Sequence, residues 1–262
     1  MSPPDFAAAL AAGVTIVTPN NRLARALVAR HDEAMRERGA RAWPAARVLP
    51  WQAWLRGLWQ DALAADALDP AQPLLAEAAS AFLWDRIVGE TATLLDPRGA
   101  AERAAEAWTL FHAWREPDES HTAWARAGIA DDVAAFARWA DRYAASVAAA
   151  GAVDAAHAAD ALAAAATRIP AWRDADVVLA GFFAPTRQQS RLVAALRAAG
   201  TRVAEAALPR GRAGRTQRVA CATPQAELVA ALRAARARCA AEPGARIGLV
   251  FGDLDDRRHE VV

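Results

Sequence analysis

Residues 13–39 read GVTIVTPNNRLARALVARHDEAMRERG, and this stretch decides the fold. Residues 13–18 are rich in β-branched side chains, which predicts a short buried strand. The Pro-Asn-Asn that follows is typical of a turn that caps a helix, and a helix is predicted over Arg22–Arg38, ended by Gly39. A strand that leads directly into a helix is the first βα unit of an α/β sheet.

The same βα pattern occurs again on the far side of a long helical stretch. A second strand is predicted over 46–49 with a helix over Trp51–Leu63, and residues 69–170 show the pattern of four or five helices. Beyond them we predict strands over 176–180, 201–207, 218–222 and 246–251, and helices over 187–199 and 224–241. This order predicts an α/β fold with a mostly parallel sheet and an inserted all-helical subdomain.

The predicted domain boundaries follow from this order. Residues 1–68 form the first part of the α/β domain, residues 69–170 the helical insertion, and residues 171–262 the second part of the α/β domain. The last residues, 253–262, begin a helix without a cap, so we expect the sequence to continue into a longer product, truncated here at its C-terminus.

The chain has no lysine, because all 31 of its Lys+Arg residues are Arg. A nucleotide-hydrolysing P-loop needs a Lys against the phosphates, and Schiff-base enzymes need a Lys amine that can lose its proton. Both chemistries are therefore excluded for these residues. A coding bias toward Arg is the alternative explanation wherever only positive charge matters.

Composition places the chain among cytoplasmic globular proteins. A hydrophobic fraction of 55% beside 23% charged residues predicts a soluble protein. Cys221 and Cys239 have neither disulfide nor metal spacing, which favours a reducing compartment. We expect no signal peptide, no membrane-spanning segment and no membrane partner, because the sequence opens without a basic region and holds no long apolar run.

The net charge is only +1, but the arginines are unevenly distributed. Thr186–Arg218 holds eight Arg and one acidic residue, and Arg22–Arg47 holds seven Arg and three acidic residues. The Arg/Gly-rich loop in the first of these segments is a candidate for following a nucleic-acid backbone, and a solvated loop without a ligand is the alternative. Its candidate phosphate contacts are Arg210, Arg212, Arg215 and Arg218.

The turn after the first strand contains Thr18, Asn20 and Asn21, where such sheets bind phosphates at a helix N-terminus. It lacks the Gly and Lys of a P-loop, so we interpret it as a degenerate phosphate loop in which Arg22 meets a single anion. Capping of the helix by these side chains is the alternative. The strand over 176–180 is followed by Gly-Phe-Phe-Ala-Pro, which offers no carboxylate to hold Mg²⁺ or activate water.

The ten Trp residues supply bulk that an Ala-rich core lacks. The stripe formed by Trp51, Trp54 and Trp59 favours core packing over base stacking. The same prediction is made for the Trp residues at positions 84, 108, 114, 124, 139 and 172. The five His residues lack metal-ligand spacing and no nucleophile motif is present, so we predict no catalytic residue, no metal and no cofactor.

Three segments carry a family resemblance: VTIVTPNNRLARA (14–26), VVLAGFFAPTRQQ (177–189) and PGARIGLVFGDL (243–254). With RVLPWQAWL (47–55), they resemble the N-terminal part of bacterial "probable DNA repair protein" chains of the PD-(D/E)XK nuclease superfamily, which are similar to the B subunit of the AddAB helicase–nuclease. The resemblance implies a RecA-like, superfamily 1 helicase-like sheet with an inserted helical subdomain, and an exonuclease domain beyond these residues. The family often has an acidic residue where this chain has Phe183.

We therefore predict a non-hydrolytic, helicase-like region that binds DNA and scaffolds a DNA repair and recombination nuclease. Its expected partners are DNA, as a single strand or a duplex end, and its own nuclease domain or a helicase–nuclease partner subunit. A protein–protein scaffold without DNA contact and an ATPase with an unorthodox site are the alternatives. The expected nucleic-acid contacts are Arg22, Arg25, Gln188, Gln189, Arg210, Arg212, Arg215 and Arg218.

Overall fold

The structure is a computed structural model of the chain, and it describes residues 9–10, 12–91, 94–116, 118–126, 131–206 and 216–252. The chain divides into two compact units, residues 1–209 and residues 210–262. Among the described residues, the first unit holds every strand, and the second unit holds one long helix.

The first unit begins with two strand–helix pairs, as the sequence predicts. β1 (Thr15–Thr18) leads into α1 (Asn21–Glu37), and β2 (Val48–Pro50) leads into α2 (Trp51–Ala64). The helical stretch that follows contains α3 (Glu77–Gly89), α4 (Pro97–Trp114), α5 (His121–Arg126), α6 (Asp131–Ala149) and α7 (Ala158–Ala165). Short 3₁₀ turns at Ala155–His157, Ala166–Arg168 and Pro170–Trp172 flank α7, and the unit ends with β3 (Asp176–Ala180), α8 (Arg187–Ala198) and β4 (Arg202–Ala206).

The four strands form one all-parallel sheet in the order β2-β1-β3-β4, which confirms the predicted α/β class and its parallel sheet. β1 lies at the centre, with Ile16 opposite Val48 on one side and opposite Val178 on the other. The chain leaves β1 toward β2 and then returns past β1 to β3, so the strand order reverses between β1 and β3. In open α/β sheets, ligands bind outside the carboxyl ends of the strands at such a switch point.

Helices cover both faces of this sheet. Successive residues of a strand point to opposite faces, so neighbouring residues of one strand pack against different helices. Ile16 and Val178 join Leu27 of α1 in one core cluster. Val17 and Leu179 belong to another cluster, together with residues of α2, α7 and α8. Strands that are buried on both faces contain continuous apolar runs, which explains Ile16-Val17 in β1 and Val177–Ala180 in β3.

The helices between β2 and β3 have a hydrophobic core of their own. Trp84 of α3, Trp108 of α4 and Tyr143 of α6 lie in it, and the rings of Trp84 and Tyr143 stack with 4.3 Å between their centroids. Large aromatic rings dominate the burial of apolar surface where many neighbours are Ala. This cluster is distinct from the two clusters that line the sheet, so α3, α4 and α6 are held together by their own contacts.

The core role predicted for the tryptophans is confirmed in most cases. The buried ones are Trp51, Trp54, Trp59, Trp84, Trp108 and Trp172. Trp114 is an exception, because the buried side of α4 runs through Phe111 and His112 and leaves Trp114, at the end of the helix, 46% exposed. Trp139 is partly buried, and its Nε1 donates to Thr91 Oγ1 at 2.9 Å. The side chain of Trp124 lies outside the described part of the chain.

The second unit contains α9 (Pro224–Ala241), which Thr223 caps by accepting a hydrogen bond from the backbone amide of Ala226 at 3.1 Å. The strands predicted over 218–222 and 246–251 are wrong, since both segments are irregular in the structure. Their apolar residues favour a strand only when a neighbouring strand supplies hydrogen bonds. The helix predicted from residue 253 lies outside the described residues.

Candidate nucleic-acid interface

The switch point of the sheet lies between the carboxyl ends of β1 and β3. Val17 is opposite Leu179, so Thr18 and Ala180, the last residues of the two strands, end beside each other. Neighbouring strands are about 4.8 Å apart. The turn that leads into α1 and the turn that leads into α8 therefore leave the sheet at the same place, where the sequence predicts a degenerate phosphate loop.

Thr18 and Asn20 both form hydrogen bonds inside the turn after β1. The buried Thr18 hydroxyl donates to the Asn20 carbonyl at 3.0 Å, and Asn20 Oδ1 accepts from the Leu23 amide at 2.9 Å. The capping alternative is thus realised. Asn21 is the exposed first residue of α1, and the backbone amides of Asn21 and Arg22 have no protein partner within the described ranges. These two amides and the Arg22 side chain are the groups of this turn that can meet an anion.

Arg22, Arg25 and Arg30 form what we term the α1 basic surface. All three side chains are exposed, and none forms an ion pair with any residue that the structure describes. The opposite side of α1 carries the buried residues Ala24 and Leu27, which pack against the sheet. Because the helix is fixed by this packing, it holds the unpaired guanidinium groups toward solvent, where they attract anions with an energy that salt screens.

The arginines of α8, by contrast, are paired with acidic residues of the same unit. Arg187 lies 2.5 Å from Glu116, Arg191 lies 3.1 Å from Asp160, and Arg197 lies 3.1 Å from Glu205. Much of the positive charge that the sequence places after residue 186 is therefore neutralised within the protein. Of the arginines described on α1 and α8, those without an ion pair among the described residues lie on α1.

Gln188 and Gln189 begin α8, and the structure engages both amide groups internally. Gln188 Nε2 donates to the Ala156 carbonyl at 2.7 Å and to Asp160 at 2.8 Å. Gln189 completes a capping box with Thr186, in which each side chain bonds the backbone of the other residue. A nucleic-acid contact by either glutamine stays a prediction, and it would compete with these bonds.

The Arg/Gly-rich loop is only partly described. Arg210, Arg212 and Arg215 lie outside the described residues. Arg218 is exposed and belongs to the irregular segment that precedes α9 in the second unit. The phosphate contacts that the sequence assigns to this loop stay a prediction.

The turn after β3 carries one anchored and one free aromatic ring. Gly181 adopts a left-handed backbone conformation with φ of 76°, which glycine reaches without strain. Phe182 packs edge-on against Trp51 with 5.8 Å between the ring centroids, whereas Phe183 is 103% exposed. Sequence reasoning missed this exposed ring, because a Phe-Phe pair does not show which of its members is buried.

Sequence reasoning also missed a buried polar cluster among the helices between β2 and β3. Asp154, only 6% exposed, accepts hydrogen bonds from Trp108 Nε1 at 2.6 Å and from the Tyr143 hydroxyl at 2.9 Å. The Tyr143 hydroxyl is also 2.7 Å from the hydroxyl of Ser80. Burial raises the pKa of Asp154, but hydrogen bonds from His157, Trp108 and Tyr143 outweigh it and hold that pKa below its usual value.

His112 lies beside this cluster and is 4% exposed. Its ring centroid is 4.0 Å from that of His157, and its Nδ1 accepts a hydrogen bond from Arg115 Nε at 3.2 Å. Its buried Nε2 has no hydrogen-bond partner among the described residues. Burial, and then the charges of His157 and Arg115, lower the pKa of His112 to about 3. The imidazole is therefore neutral at pH 7 and closed off from solvent.

Three further findings bear on function. Within the described ranges, no group of three His, Cys, Asp or Glu side chains is placed to hold a metal ion. None of the described helices has both the length and the apolar character that a membrane crossing requires. No protein-family model and no curated protein matches this chain.

Proposed function

We propose that this chain is a non-hydrolytic, helicase-like DNA-binding region that scaffolds a DNA repair and recombination nuclease. The resemblance of its segments to repair proteins of the PD-(D/E)XK superfamily supports the class, and the charges at the switch point support the DNA contact. In this proposal the parallel sheet is a RecA-like core, the helices between β2 and β3 are an inserted subdomain, and the nuclease domain belongs to another part of a longer protein.

The observation that carries the DNA contact is the contrast between α1 and α8. Arg22, Arg25 and Arg30 are exposed and unpaired within the described residues, whereas Arg187 and Arg191 already have acidic partners. Phosphate oxygens are bound mainly by Arg and Lys side chains and by backbone amides, including those at helix N-termini. The α1 basic surface and the backbone amides of Asn21 and Arg22 provide both kinds of donor.

The absence of hydrolysis in this proposal follows from the residues at the same edge of the sheet. Phosphoryl transfer in P-loop enzymes uses a Lys against the phosphates and an acidic residue that holds Mg²⁺. The chain contains no Lys, and the turn from Gly181 to Thr186 contains no carboxylate. A triphosphate at this edge would therefore lack both groups that promote its cleavage.

Titration of fluorescently labelled DNA at low and moderate salt tests the proposal. We expect binding at low salt that weakens steeply as salt rises, because contacts to phosphates release counterions. The slope of log K against log salt is negative. In the double variant Arg22→Ala/Arg25→Ala it should become less negative by about 1.4–1.8, since each lost contact contributes about 0.7–0.9. A second double variant, Arg212→Ala/Arg215→Ala, measures the contribution of the Arg/Gly-rich loop.

Arg98→Ala/Arg103→Ala is the matched control, because it removes the same charge from α4. Both of these side chains are 83% exposed, and both are paired with a Glu of their own helix. The control should keep the wild-type slope. Absence of DNA binding at low salt would overturn the proposed contact. An equal reduction of the salt dependence of binding in the α1 variant and the α4 control would overturn it as well.

A protein–protein scaffold without DNA contact is the second candidate. It is favoured by apolar side chains that α4 leaves in solvent: Leu110 is 59% exposed and Trp114 is 46% exposed. The two residues are one turn apart and so lie on the same side of the helix. A chain that binds no DNA at low salt, but loses association with a helicase–nuclease subunit in the variant Leu110→Ser/Trp114→Ser, would establish this function instead.

A further inference from the structure

The exposed ring in the turn after β3 points to the kind of DNA that the switch point binds. We propose that Phe183 is a stacking platform for an unpaired base, so the site binds a single strand in preference to a duplex. This inference rests on the proposed function, because the α1 basic surface must hold the backbone while the base stacks.

The turn presents Phe183 in a defined position, because it is held on both sides. Toward β3, Phe182 is packed against Trp51. Toward α8, the capping box of Thr186 and Gln189 closes the first turn of the helix. Phe183 lies between these two anchors and is 103% exposed. An exposed Phe offers roughly 150–250 Å² of ring surface that a stacked base can cover.

The position of this ring relative to the arginines fits a single strand. Phe183 follows the end of β3 by three residues, Arg22 follows the end of β1 by four, and the two strands end beside each other. Proteins that bind single strands combine cationic groups for the backbone with aromatic rings on which the bases stack. In a duplex the bases are already stacked and paired, so an aromatic ring gains this contact only after they separate.

Neither turn at the switch point carries an acidic residue, and the carboxylates at the start of α8, Glu116 and Asp160, are paired with Arg187 and Arg191. The turn from Gly181 to Thr186 contains no acidic residue, and the acidic residues of α1 begin at Asp32, beyond Arg30. A strand that passes from the α1 basic surface to Phe183 therefore meets no carboxylate along either turn.

Fluorescence anisotropy on the full chain tests the inference with three probes of equal length: a single strand, the corresponding duplex, and a single strand with abasic positions at its centre. We expect the wild type to bind the single strand most tightly. Phe183→Ala should weaken that binding about 5- to 150-fold, as the loss of one stacked base implies. Phe183→Trp should retain it, and the abasic strand should bind wild type and Phe183→Ala equally.

Phe82→Ala is the matched control, because Phe82 is a 63% exposed phenylalanine on α3. It should bind all three probes as the wild type does. If the wild type binds DNA but Phe183→Ala binds the single strand unchanged, or if the duplex binds more tightly, this inference is overturned while the proposed function stands. If none of the probes binds at low salt, the proposed function fails as well.

Discussion

Acidification should destabilise the first unit through His112, the buried imidazole that faces His157. The pKa of a free imidazole is 6.5, and burial lowers that of His112 to about 3. Between these two values the unfolded chain binds a proton that the folded chain does not bind. The free energy of unfolding therefore falls as the pH falls through this range, and His112 has no such effect above it.

The magnitude follows from the difference between the two pKa values. Each pKa unit corresponds to about 1.4 kcal/mol, so at pH 5 the loss is about 2 kcal/mol, and below pH 3 it approaches about 5 kcal/mol. Asp154, the acidic residue of the same cluster, has a pKa below its usual value, and its contribution is lost only at lower pH. A comparison of pH 7.5 with pH 5 therefore isolates His112 from its acidic neighbour.

Urea unfolding of the wild type and of His112→Asn at these two pH values measures the effect. Asn cannot titrate, and its carbonyl can still accept the hydrogen bond from Arg115. The variant should have a lower free energy of unfolding than the wild type at pH 7.5. Between pH 7.5 and pH 5, however, its free energy of unfolding should decrease by about 2 kcal/mol less than that of the wild type. Equal losses in the wild type and in His112→Asn would refute the reasoning.

Three further outcomes are expected. Asn20→Ala removes the N-cap of α1 and should lower the free energy of unfolding by about 1 kcal/mol in urea titrations; an unchanged midpoint would contradict the capping bond. Trp84→Ala should cost about 3–5 kcal/mol because the cavity lies in the core of α3, α4 and α6, whereas Phe82→Ala, on the exposed side of α3, should cost far less. ATP with Mg²⁺ should leave the melting temperature unchanged; a rise of several degrees would revive the ATPase alternative.

The elements that the sequence predicts best are those defined by local signals. The helix predicted over 187–199 is observed as Arg187–Ala198, and the helix predicted over 224–241 has the same bounds in the structure. Thr186 and Thr223 cap these helices through amides only three residues away. Because such a cap depends on a few adjacent residues, a sequence pattern is enough to locate it.

The features that the sequence did not reveal depend on distant partners. Residues 218–222 have the pattern of a strand, but a strand requires hydrogen bonds from another segment. Asp154 and Trp108 are 46 residues apart, and no periodicity indicates that they form a buried hydrogen bond. Counting arginines locates a basic segment, but only the structure shows that Arg191 is paired with Asp160 while Arg25 is exposed and unpaired within the described residues.

The bonds at the start of α8 join the edge of the sheet to the neighbouring helices. Arg187 is held by Glu116, Gln188 by the Ala156 carbonyl, and Arg191 by both Asp160 and the Arg115 carbonyl. These bonds connect the first two turns of α8 to Arg115 and Glu116, which follow α4. They also connect it to Ala156, in the 3₁₀ turn before α7, and to Asp160, near the beginning of α7. A movement of α8 relative to the neighbouring helices would therefore have to break these bonds.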